Sequence, residues 1–152
     1  MRRVLLVSTL AVSIAGSLSG QARRYPIEGV WKVIERETPD GKGKITNPAP
    51  AMRMFTAKHY AWVASPVERP ALAFEKATDA EKAALWNFVS QIGAYEIKGA
   101  NVITHPMVAK DPATMTPAHS EEFTFRIEGN RLILKTVRPA GQWVWTTYER
   151  LE

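Results

Sequence analysis

The sequence predicts a mainly β fold: an eight-stranded antiparallel up-and-down barrel with one helix between its third and fourth strands. Three observations carry that expectation. Short runs of alternating apolar and polar residues recur along the chain, separated by turn chemistry, which is the pattern of half-buried strands. Two of those turns, Lys98-Gly99-Ala100-Asn101 and Glu128-Gly129-Asn130-Arg131, are short enough to make chain neighbours antiparallel neighbours. One segment, opening at Thr78-x-x-Glu81, carries instead a helix start signal. Eight strands in a meander close naturally, and closure removes the exposed edges.

The first 22 residues stand apart from the rest. Arg2 and Arg3 form a positive start, Val4 to Ile14 is apolar apart from Ser8, Thr9 and Ser13, and mostly small residues run from Ala15 to Ala22. The apolar run is too short to span a bilayer of roughly 30 Å, so the segment reads as a secretory signal peptide over 1–22. Cleavage after Ala22 or after Ser19 both fit. The remaining residues, 23–152, make one domain, which is expected to be exported, periplasmic or secreted, with no integral membrane segment after cleavage.

Along that domain, Ile27 to Glu37 alternates as a first strand, with Trp31, Val33 and Glu35 on the presumed interior face and Glu35 at the open mouth. Thr38-Pro39-Asp40-Gly41-Lys42-Gly43-Lys44 is turn chemistry, and Pro48 and Pro50 prolong the loop. Met52 to Thr56 and His59 to Ala64 predict two short strands around a reversal at Ala57-Lys58. Ser65 to Glu75, with Pro66 and Pro70, reads as loop. The helix then starts at the capping box, where the Thr78 hydroxyl accepts from a backbone amide and Glu81 reaches back. Leu85, Phe88, Val89 and Ile92 form one apolar stripe, and Gly93 stands where a C′ glycine would end the helix. Five strands complete the count: Tyr95 to Ile97, Val102 to Ala109, His119 to Ile127, Leu132 to Val137 and Gln142 to Leu151. In the second of these, neither Val102, Thr104, Pro106, Val108 nor Ile103, His105, Met107 is decisively the apolar set.

Composition excludes several classes of function. No cysteine occurs, so there is no disulfide, no lipid-attachment cysteine and no thiolate chemistry. Loss of Arg2 and Arg3 takes Lys+Arg from 20 to 18 against 15 Asp+Glu, a mature charge of +3. The cations are scattered among acids, and nucleic-acid binding is not expected. There is no Gly-x-Ser-x-Gly and no serine supported by a histidine, and no catalytic residue is assigned.

With these residues in view the chain resembles the lipocalin-like domains of bacterial exported proteins. The resemblance rests on Gly29-x-Trp31 in the first strand, the mid-chain helix with Phe88, and Gly93-Ala94-Tyr95-Glu96-Ile97. It continues through Thr104-His105-Pro106-Met107-Val108-Ala109-Lys110-Asp111-Pro112 and Glu128-Gly129-Asn130-Arg131-Leu132. It covers most of the mature chain and implies a small barrel with an internal cavity, but no particular reaction. The cysteine pair of the classical secreted lipocalins is missing. In such barrels an arginine near the C-terminus stacks on the tryptophan of the first strand, which assigns Gly29, Trp31 and Arg150 to the barrel floor.

Tyrosine and tryptophan inside a barrel combine an apolar body with a polar tip, and Tyr60, Trp62, Tyr95 and Trp145 are the expected cavity-lining residues, with His105 as a polar anchor. His105, His119 and Glu121 could approach across a hairpin and hold a metal ion, but Pro106 and Pro117 disturb that ladder and no His-x-His or His-x-x-x-His occurs. No metal and no cofactor is assigned. The leading expectation is a monomeric, non-enzymatic binder of a small, largely apolar or amphipathic molecule. Two alternatives stay open. One is a small-barrel enzyme of isomerase or cyclase type using an interior His, Tyr or Glu. The other is a packed barrel that serves as a protein-interaction module.

Overall fold

The computed structural model describes residues 26–37, 43–65, 74–137 and 143–152. The predicted signal peptide over 1–22, the turns at 38–42 and 138–142, and the predicted loop over 66–73 lie outside the described residues. Nine strands are present: β1 (Gly29–Glu37), β2 (Lys44–Thr46), β3 (Ala51–Phe55), β4 (His59–Ala64), β5 (Val89–Lys98), β6 (Asn101–Ala109), β7 (Glu121–Glu128), β8 (Arg131–Val137) and β9 (Trp143–Arg150). One α-helix, α1 (Asp79–Leu85), falls between β4 and β5. Among the described residues no helix is long and apolar enough to cross a membrane.

The pairing order β1-β3-β4-β5-β6-β7-β8-β9 is antiparallel throughout and returns from β9 to β1, so eight strands close a barrel. The remaining strand, β2, was expected to be turn; it lies against the far end of β1 through Glu35↔Thr46 and Glu37↔Lys44. Hairpin turns at Gly99 and Gly129 supply the left-handed backbone that short connections need (φ 61° and 60°).

The helix is shorter than predicted. Thr78 does cap it, with its hydroxyl accepting from the Glu81 amide at 3.3 Å and Glu81 returning to the Thr78 amide at 2.7 Å. The second half of the apolar stripe, however, is strand. Val89-Ser90-Gln91-Ile92 satisfies a period of two as well as a helical stripe, and a ladder is available: Val63↔Ser90, Trp62↔Gln91 and Ala61↔Ile92 against β4. Pairing decided the ambiguity. Gly93 is therefore no helix terminator but a buried strand residue, and a Cβ there would run into the His105 carbonyl and stand 2.9 Å from Pro106 Cα.

Two bulges set which side chains enter the barrel. The register of β1 on β9 shifts between Val33 and Glu35, so that Val33 pairs with inward Tyr148 whereas Glu35 pairs with outward Thr147. Glu35, expected inside, faces outward, and Arg36 takes the face of buried Thr146 instead. The β5–β6 ladder shifts between Ile92 and Gly93, where Met107 is the extra residue. Val102, Thr104 and Pro106 point inward and are buried, and beyond the bulge Val108 turns out to solvent while Ala109 takes the face of Gln91.

The core is the barrel interior. Ile27, Trp31, Phe55, Val102, Phe123, Leu132, Leu134 and Tyr148 are all buried there. The end near Trp31 is the floor. The other end, where α1 enters between β4 and β5, is the mouth.

Candidate functional site

At the floor, Trp31 is 0% exposed and its indole nitrogen donates to the Ile27 carbonyl at 2.8 Å. The Arg150 guanidinium lies 4.0 Å from the Trp31 ring centroid, within cation–π range. It also donates to the Glu28 carbonyl at 2.5 Å and the Pro26 carbonyl at 2.7 Å. Gly29 has φ +135°, and a Cβ there would stand 2.6 Å from Arg150 Nη1 and collide with the last carbonyl of the chain. A side chain at position 29 would keep the C-terminal residues from closing the seam.

Above the floor the interior becomes polar. Arg53 is 4% exposed and is brought inward by the hairpin register of β3 and β4, which pairs Arg53 with Trp62 and Phe55 with Tyr60. Its guanidinium sits 4.7 Å from the Trp62 ring centroid and 4.6 Å from that of Phe123. Nε donates to the Tyr148 hydroxyl at 3.2 Å, whereas Nη1 has no partner. The indole nitrogen of Trp62 is likewise buried without a partner.

A second polar chain leads to the mouth. The Tyr60 hydroxyl donates to Gln91 Oε1 at 3.2 Å, and Gln91 Nε2 donates to Glu121 Oε1 at 3.0 Å. The His119 ring nitrogen Nε2 lies 3.7 Å from the same carboxylate. Burial raises the Tyr60 phenol above its ordinary value; the Thr104 hydrogen bond and the Arg53 charge oppose this, and the Glu121 charge adds to it.

The five residues expected to line a cavity divide between the two faces of the wall. Tyr60 and Trp62 face the interior. Tyr95 shares the inward face of Gln91 and Gly93 but lies toward the floor, with its ring 5.2 Å from Phe55 and its hydroxyl donating to the Thr56 carbonyl at 2.7 Å. His105 and Trp145 face outward, a correction to the sequence reading. His105 pairs with outward Ala94, its side chain is 45% exposed, and it lies 3.6 Å from Glu96. The Glu96 carboxyl is held below its ordinary range mainly by its bond to Lys98 at 2.8 Å. Trp145 lies opposite the outward residues Glu37 and Lys135, with its ring 5.5 Å from Arg126, 5.4 Å from Lys135 and 6.2 Å from Trp143. Long charged stems cover it.

Sequence reasoning did not assign Arg53 or Gln91 to the interior and left Thr104 in one of two open sets. Alternation over Ala51-Met52-Arg53-Met54-Phe55 lets Met52 and Met54 compete for the inward face. The signal that decides is hairpin arithmetic: pairing Phe55 with Tyr60 across a short reversal puts Arg53 opposite Trp62. Among the described residues no three His, Asp or Glu side chains gather as a metal site.

No family model matches the chain, and no curated protein is similar to it. Among solved structures, two similarities are as follows. An uncharacterised protein from Bacteroides eggerthii DSM 20697 is 10% identical, with a TM-score of 0.46 over 81% of this chain and 98% of that one. A redesigned β barrel is 12% identical, with a TM-score of 0.44 over 82% of this chain and 91% of the design. Neither likeness bears on the chemistry of the interior.

Two surface hollows lie among the described residues. One, of about 400 Å³, lies on the outer wall between β1, β7, β8 and β9 and contains Glu35, Lys44, Arg126, Arg131, Ile133 and Trp145. Two of its cations are ion-paired, Lys44 with Glu35 at 2.8 Å and Arg126 with Glu128 at 3.0 Å. The other, of about 620 Å³, lies beneath the floor around Gly29, Met54, Phe55 and Arg150. Neither is lined by Tyr60, Trp62 or Tyr95. On the outside of β3 to β6, Met54, Ala61, Ile92 and Val108 lie in one register row, with Met52 and Val63 beside them. All of these but Ala61 are exposed.

Proposed function

We propose that this protein is an exported, lipocalin-like binding barrel that holds a small, largely apolar or amphipathic molecule between its mouth and its floor. The observation that carries the reading is that two buried donors on side chains in cation–π contact, Arg53 Nη1 and Trp62 Nε1, have no partners inside the barrel; His119 Nε2, nearer the mouth, is buried without a hydrogen-bond partner as well. An unmatched buried donor costs roughly 1–3 kcal/mol, and a barrel evolved only to be filled has no reason to keep two of them. A ligand that accepts from them supplies the reason. Aromatic walls from Tyr60, Trp62 and Phe123 add contact area, and few polar groups fix orientation, as in ligand sites generally. Export is supported by the charged start, apolar run and small-residue end of residues 1–22.

Native mass spectrometry of protein taken from its own host, with solvent extraction of what it carries, tests the reading. A small-molecule adduct on the monomer is expected. A bare protein whose tryptophan emission is also indifferent to apolar probes would refute it. N-terminal sequencing of the same preparation is expected to begin at Arg23 or Gly20; an intact Met1 start would remove the export reading. A second reading, a packed interaction module, draws on the exposed outer row of Met54, Ile92 and Val108. In the same spectrum it would appear as a protein-only complex.

A further inference from the structure

We propose that the ligand carries one anionic head, a carboxylate, seated on Arg53, with its apolar body directed toward the mouth; the inference rests on the binding reading above. An arginine cannot shed its proton at any ordinary pH, so burying it demands an anion or a full set of acceptors. Arg53 has neither. It is 4% exposed, stacked between Trp62 and Phe123, and bonded through Nε to the neutral hydroxyl of Tyr148, and Nη1 has no partner. The inward carboxylate that could have served, Glu121, is held by Gln91 at 3.0 Å and faces His119 at 3.7 Å.

A further cation faces inward nearer the mouth, away from the seat. Arg36, turned in by the β1 bulge, shares the face of Thr146, whereas Glu35 has been turned out. The head is a monoanion because the seat offers one guanidinium and neutral donors, with the Glu121 charge nearby to disfavour a dianion such as phosphate. A planar carboxylate also matches the planar guanidinium fork. Between Arg53 and the mouth the inward residues Ala51, Ala64, Val89, Ala109 and Val144 are small or medium-sized and apolar, and they would flank the body beside the polar Gln91 and Glu121.

A matched pair of probes separates this inference from the reading beneath it. Dodecanoate and 1-dodecanol are titrated into delipidated wild-type protein at neutral pH by calorimetry. Dodecanoate is expected to bind about 30-fold more tightly, the ratio that a charge-assisted hydrogen-bonded head supplies. In Arg53→Met the two affinities are expected to converge, and Arg53→Lys is expected to keep part of the preference, each variant being checked by near-UV circular dichroism. Equal binding of acid and alcohol to wild type overturns the carboxylate seat and leaves the binding barrel standing. Binding of neither probe counts against both. A preference that survives intact in folded Arg53→Met places the head elsewhere and overturns the assignment to Arg53. Should Arg53→Met not fold, the wild-type comparison and Arg53→Lys decide.

Discussion

Replacing Arg150 by methionine removes three interactions at the barrel floor while keeping most of the aliphatic stem that covers Trp31. The guanidinium, 4.0 Å from the centroid of a fully buried indole, is worth about 1 kcal/mol. The part-buried bond from Nη1 to Glu28 O contributes about 1.5 kcal/mol, and the exposed bond from Nη2 to Pro26 O about half of that. The expected loss is therefore about 3 kcal/mol, near 10 °C in melting temperature for a domain of this size. Urea unfolding followed by near-UV circular dichroism measures it, with an unchanged m-value showing that the native barrel is retained. A double-mutant cycle with Trp31→Leu, which removes the ring, isolates the ring–cation contact, expected at about 1 kcal/mol. A loss below about 1 kcal/mol, or a coupling energy of zero, would refute the claim that Arg150 locks the floor through Trp31.

Further outcomes follow from the same structure. Gly93→Ala places a methyl group against the backbone of His105 and Pro106, which cannot yield as a side-chain tip would, and should cost about 3 kcal/mol; Gly99→Ala, with open space but φ +61°, should cost about 1. If the two cost the same, the close approach of β6 at Gly93 is not what matters. Tyr60 has its pKa raised on folding, so its contribution to stability is fully present below its unfolded pKa, about 10, and is lost as pH climbs through the higher folded value. Alkaline melts of wild type should fall accordingly, and Tyr60→Phe should flatten that fall; parallel curves would contradict it. Without ligand, Arg53→Met should unfold at the same or a higher temperature than wild type, since an unmatched buried charge leaves the barrel. A drop of more than about 2 kcal/mol in calorimetry would make Arg53 a structural cation instead.

The architecture was legible because closure depends on features that sequence carries openly: alternation, short glycine turns, and the Gly29-x-Trp31 start answered by Arg150. The capping box at Thr78 also pointed correctly to a helix start. What followed it did not read correctly, since Val89 and Ile92 satisfy both periods and only the partner strand β4 chose between them. The interior was legible in part. Tyr60 and Trp62 share a face by simple parity within β4. Glu35 was misread, and the strand of Val108 stayed open, because each residue lies just past a bulge, where one extra residue reverses parity. Such an insertion leaves no mark in a single strand's pattern. It shows only when two strands are aligned. His105 and Trp145 illustrate a different limit: a polar or aromatic residue on a barrel strand is equally at home outside, where Glu96, Arg126 and Lys135 accompany them.

The β1–β9 seam has a consequence for how the chain folds. Arg150 reaches a carbonyl 122 positions away, and the hairpins between can form long before that contact is possible. Until the last strand arrives, the molecule is a curled sheet with two open edges, β1 at one side and β8 at the other, each offering unpaired amides and carbonyls. Contacts of such sequence separation make closure slow, and they make it the final event. A chain synthesised N-terminus first therefore stays prone to edge-to-edge association until residues 143–152 are in place. Single-residue lesions in β9 should show up first as low yield and aggregation in the refolding reaction, and only then as a lowered melting point of the survivors.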